Sequence, residues 1–306
     1  MHAMPDACRR LARCATHLLV LGTLLLMARA PDAFETATTI PQEQAMFVES
    51  DAYERFMGRW SRRLAPLLVT FASVREGDSV LDVGSGTGAL AFAILEAVPS
   101  ARVTGVDPSV AYVRYAQART PGDRVRFQVG DAQALALPAA TFDRTASLLV
   151  MNFIPDPAKA LREMIRVTRP RGVVAAAVWD YGEGMEMLRV FWDEAVALDG
   201  GVAARDERTM PLCRRGELQA LWRAGGLKEV EEDPIEIALS FTSFDDYWSP
   251  FLGGQGPAGA YVLSLPASAR AALESRLRAR LLGAGGDRSF SLRARAWAVK
   301  GIVAER

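Results

Sequence analysis

The chain has 306 residues, half of them hydrophobic, with 36 basic side chains against 36 acidic ones. That is enough for one large α/β domain with insertions or two small ones, and the even charge removes the electrostatic case for nucleic acid as a partner. Its cysteines, Cys8, Cys14 and Cys213, lack metal-ligand spacing, and both histidines, His2 and His17, lie in the N-terminal tail, so the main domain lacks the commonest general base and metal ligand.

Residues 1–45 do not follow a globular pattern. Arg9, Arg10 and Arg13 precede the apolar run Leu18–Met27, and Ala28-Arg29-Ala30 follows, in the outline of a secretory signal peptide. Pro31 directly after the small-x-small triplet argues against cleavage, and the run is short for a membrane span. The extension reads as an uncleaved or spurious segment ahead of a cytoplasmic domain, residues 46–306, with a true start near Met46 and real export as the other readings. From Phe47 to Phe71 the pattern is helical. Tyr53, Phe56, Met57 and Trp60 recur at spacings of three and four, giving one aromatic stripe. Phe56 and Met57 suit packing on a sheet, while Tyr53 and Trp60 suit a lid or a core equally. Pro66 marks a break or a fresh start.

Strand–helix units follow. Strands are expected at Ser79–Val83, Arg102–Val106, Val125–Val129, Phe142–Leu149 and Val173–Trp179, with helices after the first, second and fourth. Such alternation means a parallel sheet covered on both faces, and right-handed crossovers make it doubly wound. Beyond Asp180 the pattern loosens into a helix over Gly182–Leu198 and another over Gly216–Ala224. The stretches 227–241 and 290–303 alternate polar and apolar, as an antiparallel pair at the sheet edge would, completing seven strands. Residues 182–215 and 242–289 are left as cap segments. Arg270, Arg276, Arg278 and Arg280 read as the solvated face of a helix over Ser268–Leu282.

One turn organises the rest. Val80-Leu81-Asp82-Val83 runs into Gly84-Ser85-Gly86-Thr87-Gly88 and then into a helix. Gly84 permits the turn's dihedrals, Gly86 lets a ligand approach the backbone, and the helix start offers free N–H groups. A dinucleotide fingerprint would also fit these glycines, but Asp82 at that turn would repel a pyrophosphate and attract an ammonium group. Two more acids close the next strands. Asp107, with Pro108 after it, stands 19 residues beyond Gly88, where an acid can bind ribose hydroxyls. Asp131 begins the following loop, where its carboxylate can accept from an adenine amino group and Ala132 N–H can serve a ring nitrogen. Each alone could be a helix cap; three at one edge make capping alone insufficient.

Asp82-Val83-Gly84-Ser85-Gly86-Thr87-Gly88 resembles the E/D-x-G-x-G-x-G motif of class I S-adenosyl-L-methionine-dependent methyltransferases. GDAQALALPAATFD and IPDPAKALREMIRVTRPRG are similar to segments of the ubiquinone/menaquinone-biosynthesis type, with Leu137-Pro138 and Phe142-Asp143 in place. Asn152-Phe153 stand where a histidine pair is common, and Arg171 replaces a glycine. The resemblance implies a Rossmann-like methyltransferase fold with N-terminal lid helices. It implies S-adenosyl-L-methionine as cofactor, held by Asp82, Gly84, Ser85, Gly86, Gly88, Asp107, Pro108, Asp131, Ala132 and Leu148. It implies a small-molecule methyl acceptor, a monomer or homodimer, and neither nucleic acid nor stable membrane insertion of the main domain.

Methyl transfer is an in-line displacement that asks mainly for alignment and exclusion of water. Tyr53, Trp60 and Asn152 are the acceptor-side candidates, with Trp179 and Tyr181 beside them. The competing readings are a nicotinamide oxidoreductase, which lacks a Tyr-x-x-x-Lys pair here, and a module that binds the cofactor without transfer.

Overall fold

The computed structural model describes residues 50–120 and 122–305. The signal-like extension 1–45, the start at Met46 and the first residues of the expected helix, 47–49, lie outside the described residues.

The described chain opens on α1, Ser50–Tyr53, a π-helical turn, Glu54–Gly58, and α2, Arg59–Phe71. The helix continues through Pro66 instead of breaking there. Pro66 is on the solvent face, while Leu64, Ala65, Leu68 and Val69 are buried on the other, so the lost hydrogen bond is offset by packing.

Seven strands form one sheet in the order β3-β2-β1-β4-β5-β7-β6. They are β1 Ser79–Val83, β2 Arg102–Asp107, β3 Val125–Val129, β4 Phe142–Leu148, β5 Thr168–Trp179, β6 Lys228–Phe241 and β7 Phe290–Ile302. The first five are parallel; β7 runs antiparallel to both β5 and β6. The antiparallel pair therefore ends the sheet as expected, with β7 inserted second from the edge. The helices between the strands are α3 Ala89–Ala97, α4 Val110–Ala118, α5 Pro157–Val167, α6 Glu186–Leu198 and α7 Glu217–Ala224. The segment before β7 adds α8 Phe244–Trp248, α9 Gly256–Ser264 and α10 Ala267–Leu282.

The inner strands carry a continuous apolar core: Val80, Leu81 and Val83 on β1, Val174 to Val178 on β5, and Ala294, Ala296, Ala298 and Val299 on β7 are all buried. The strand order reverses between β1 and β4, which opens a crevice at the carboxyl ends of those strands, where ligands of open α/β sheets bind. Where the sequence pattern places a helix from Gly182, the chain first makes a turn. Asp180 O accepts from Gly184 N–H and Met185 N–H, and Asp180 Oδ1 accepts from Glu183 N–H, so α6 starts at Glu186. The arginines of α10 are not uniformly solvated. Arg276 and Arg280 donate to Glu194 on α6, at 2.8 and 3.3 Å, and tie the two helices together.

Candidate active site

The turn after β1 is stitched to β2, because Gly84 N–H and Ser85 N–H both donate to Val106 O. Its three glycines hold positive φ for different reasons. A Cβ on Gly84 would lie 2.5 Å from Val150, and one on Gly88 would lie 2.6 Å from Phe92, whereas one on Gly86 would meet nothing within 4 Å. Gly84 and Gly88 are thus required by packing. Gly86 leaves a bare stretch of backbone facing open space.

Asp82 is 1% exposed. Its Oδ2 accepts from Ala91 N–H on α3 at 3.1 Å, while Oδ1 is buried with no hydrogen-bond partner. Burial pushes its carboxyl up to about 7, against the pull of the Ala91 N–H and with a further push from the charge on Asp107. Asp107 is also buried and its carboxyl is raised by burial, but it is better held. Oδ2 accepts from Gly86 N–H and Oδ1 from Ser109 N–H, both at 2.8 Å. Asp131 differs from both: it is exposed, and its Oδ1 accepts from Gln133 N–H at 2.8 Å and Gln133 Nε2 at 3.2 Å, capping its own turn. Pro108 is exposed beside Asp107, Ala132 is half-buried beside Asp131, and Leu148 is buried at the end of β4.

The N-terminal helix covers this edge. The Tyr53 ring lies 5.5 Å from that of Tyr112 on α4, and its hydroxyl shares a 3.1 Å hydrogen bond with Ser61. Burial raises the Tyr53 hydroxyl; the Ser61 hydrogen bond and Arg62 lower it, and the charges of Asp107 and Asp82 raise it further. Tyr112 OH and Ser85 Oγ are buried without partners. Three such atoms around one turn are unusual in a folded protein and point to a polar ligand that would satisfy them.

Two contacts that local spacing does not reveal fasten the helix down. Thr87 Oγ1 donates to Glu54 Oε1 at 2.5 Å, and Arg62 pairs with the other oxygen of Glu54. Arg59 pairs with Asp246 at 2.5 Å and stacks over Trp60 and Phe241. Gly58 makes room for the first contact, since a Cβ there would sit 2.7 Å from the Glu54 carboxylate. Trp60, expected on the acceptor side, is 3% exposed with its ring 5.3 Å from that of Phe241. A cavity of about 300 Å³ lies behind the glycine turn, lined by Glu54, Arg62, Thr87, Phe92, Glu96 and Arg119 among others; none of the three acids lines it.

On the other side of the crevice, Asn152 follows β4 in a short turn, Met151–Phe153. It is buried, its Nδ2 lies 3.8 Å from Met210 Sδ, and its Oδ1 has no partner. Trp179 ends β5 with a buried, unpartnered Nε1, and Tyr181 is buried two residues on. The turn therefore brings Asp82, Ser85, Gly86, Asp107, Tyr53 and Tyr112 together, and the ends of β4 and β5 bring Asn152, Trp179 and Tyr181 to its flank.

Known proteins are similar to this chain in sequence and in fold. A family model described as a methyltransferase domain matches residues 81–176. The 2-methyl-6-phytyl-1,4-hydroquinone methyltransferase of Synechocystis sp. is 35% identical over 121 residues, which cover 39% of this chain but only 38% of that protein. Malonyl-[acyl-carrier protein] O-methyltransferase of Geobacter sulfurreducens is 31% identical over 198 residues, 63% of this chain and 72% of that protein. In fold, a chain solved in complex with the Haloferax volcanii Trm112 methyltransferase activator superposes with a TM-score of 0.54 at 22% identity, covering 86% of this chain and 98% of that one.

Proposed function

Because the chain belongs to the class I S-adenosyl-L-methionine-dependent methyltransferases, we propose that it transfers the cofactor's methyl group to a small, lipophilic acceptor in the cytoplasm. The observation that carries this reading is the Asp82 carboxylate, buried at the glycine turn with one oxygen unpartnered. A pyrophosphate would meet a like charge there, whereas an ammonium group would satisfy it.

The residues fit the cofactor at each end. Asp82 Oδ1 would take the ammonium group, and the bare backbone at Gly86 would lie along the amino-acid portion. Each carboxylate oxygen of Asp107 accepts one N–H and keeps further lone-pair capacity, so the ribose hydroxyls can bind without breaking the loop. Asp131 and Ala132 would border the adenine. The bound cofactor supplies a methyl group activated by its sulfonium. The chain's own part is alignment and dryness. Tyr53 and Tyr112 close over the acids, the Thr87–Glu54 contact holds the helix shut on the turn, and Asn152, Trp179 and Tyr181 face the acceptor. Among the described residues no helix is long and apolar enough to cross a membrane.

S-adenosyl-L-methionine and S-adenosylhomocysteine are expected to raise the melting temperature, because a ligand that binds only the folded chain stabilises it, and NAD and NADP are expected to leave it unchanged. Stabilisation by NAD alone would overturn the assignment.

A further inference from the structure

The cap carries a carboxyl group that the binding of the cofactor does not use. Glu207 opens a short 3₁₀ turn, Glu207–Thr209, between α6 and α7, and is 5% exposed. Its Oε2 accepts from Trp192 Nε1 at 2.6 Å. Buried carboxylates ordinarily have a cation. Here the neighbouring cation, Arg189 of α6, is bound by both nitrogens to Asp206, and among the described residues Glu207 makes no ion pair. A neutral indole donor alone is a poor substitute for the water Glu207 has lost.

The turn is also well placed. Met210 N–H donates to Glu207 O at 2.9 Å, and Met210 Sδ touches Asn152, so the turn lies against the end of β4. A Cβ on Gly182 would be 3.9 Å from Arg208 O, which puts the same turn beside the end of β5. Between them stands Tyr181, whose hydroxyl is raised by burial first and then by the charges of Glu207, Cys213 and Tyr53. Tyr53 in turn feels Asp107 and Asp82. Asn152 Oδ1 and Trp179 Nε1 are buried at those strand ends without partners.

Resting on the methyl-transfer reading above, we propose that Glu207 is the general base of the reaction and that the acceptor is therefore a hydroxyl compound, a phenol or an enol. The acceptor's O–H bond breaks, its proton goes to a Glu207 carboxylate oxygen, and the electron pair left on oxygen forms the bond to the methyl carbon. The pair of the broken carbon–sulfur bond stays on sulfur, and Glu207 later returns the proton to water. Among the described residues there is no histidine, so none of them offers an imidazole for this role. An amine loses its proton to water after methylation, and a thiol ionises readily by itself, so neither would require a buried carboxylate. Burial pushes Glu207 up to about 7; the Trp192 hydrogen bond and Arg189 lower it, and Asp206 raises it. Tyr181 and Cys213 are the other titratable groups facing it, and both are raised, so both stay protonated near neutrality. A base poised near neutrality suits a phenol or enol.

Glu207→Gln tests this, since the amide oxygen still accepts from Trp192 while basicity is lost. A size-matched panel of a hydroquinone, an aliphatic alcohol, an amine and a thiol is offered with methyl-labelled cofactor. With cofactor saturating, so that Asp82 is paired with the ammonium group and does not set the profile, the hydroquinone is expected to be methylated, with kcat/KM for it rising through about pH 7, and E207Q is expected to lower it by about 100-fold and remove that pH dependence. Its melting temperature and its stabilisation by S-adenosylhomocysteine should match those of the unaltered chain. Independently of turnover, the infrared difference between the unaltered chain and E207Q should show a protonated-carboxyl band that titrates away near pH 7, the band of Asp82 being common to both. If E207Q does not fold, Glu207→Asp, which should keep the pH dependence, decides. The proposal is overturned if only the amine or thiol is methylated, if nothing is methylated although S-adenosylhomocysteine binds, or if E207Q keeps full rate. A band that persists to about pH 10 would do the same by making Glu207 a hydrogen-bond acceptor for Trp192 alone. Absence of any stabilisation by S-adenosylhomocysteine would instead strike the methyl-transfer reading itself.

Discussion

Asp82→Asn should stabilise the free protein while weakening the cofactor, a combination that a structural carboxylate cannot give. In the folded chain the Asp82 carboxyl titrates at about 7 instead of its ordinary 3.8, chiefly because it is buried. A folded pKa above the unfolded one means that stability is full below about 3.8 and falls as pH rises to about 7. The whole difference is worth roughly 4 kcal/mol, taking about 1.36 kcal/mol per pH unit. The amide removes this cost. Its oxygen still accepts from Ala91 N–H, but its NH₂ takes the place of the unpartnered Oδ1 and gives back ~1–3 kcal/mol. A net gain of ~1–3 kcal/mol is expected at about pH 8, turning into a net loss of ~1–3 kcal/mol at about pH 4, where the carboxyl is protonated and the burial cost is gone. The loss of the charged hydrogen bond to the ammonium group should weaken S-adenosylhomocysteine by about 2 kcal/mol, or roughly 30-fold. Urea unfolding of the free protein at both pH values, with calorimetry of S-adenosylhomocysteine, reads both effects. Glu207 titrates in the same window but is common to both proteins, so its contribution cancels in the difference. A free protein destabilised by the substitution at about pH 8, or an unchanged affinity, would refute the reasoning.

Asp107→Ala should damage both states. It removes two charged hydrogen bonds, from Gly86 N–H and Ser109 N–H, so ~2 kcal/mol of unfolding free energy and ~2–4 kcal/mol of cofactor binding should be lost together, by denaturant titration and calorimetry. The two glycines of the turn should separate. Gly84→Ala is expected to cost ~2–3 kcal/mol of stability, because its Cβ would overlap Val150 in a left-handed conformation, whereas Gly86→Ala should cost only the ~1 kcal/mol of that conformation yet reduce cofactor affinity about 10-fold or more. Equal effects of the two on affinity and on melting temperature would mean that Gly86 does not face the ligand.

Much of the fold is legible in the sequence because its signals are local. The five parallel strands are short apolar runs punctuated by Gly, Pro and Asp, and they begin and end within a residue or two of expectation, except that β5 starts early at Thr168. The differences arise where a longer-range contact outweighs a local preference. Pro66 is a helix breaker by propensity, yet it stays helical on the solvent face of a strongly packed helix. Arg171 stands where the resembling family has glycine, and it takes the glycine's conformation, φ 64°. Its N–H donates to Val303 O, so the sheet end fixes the turn in spite of the side chain's cost of about 1 kcal/mol.

The cofactor side of the site is legible for the same reason: Asp82 and the glycines are consecutive, and Asp107 and Asp131 each end a recognisable strand. The lid and the acceptor side are built differently. Glu54 meets Thr87 across 33 residues, Arg59 meets Asp246 across 187, and Glu207 meets Trp192 across 15. None of these spacings is a helix or strand period, so periodicity cannot find them. Glu207 is especially concealed. In Arg205-Asp206-Glu207-Arg208 it reads as one charge of a solvated loop, and only the fold reveals that Arg189 is taken by Asp206 while Glu207 is left with an indole. Whether a charge is solvated depends on what covers it and which cation is already committed, and both are properties of tertiary packing. The buried group that no local rule anticipates is therefore the one whose burial asks most for a functional explanation.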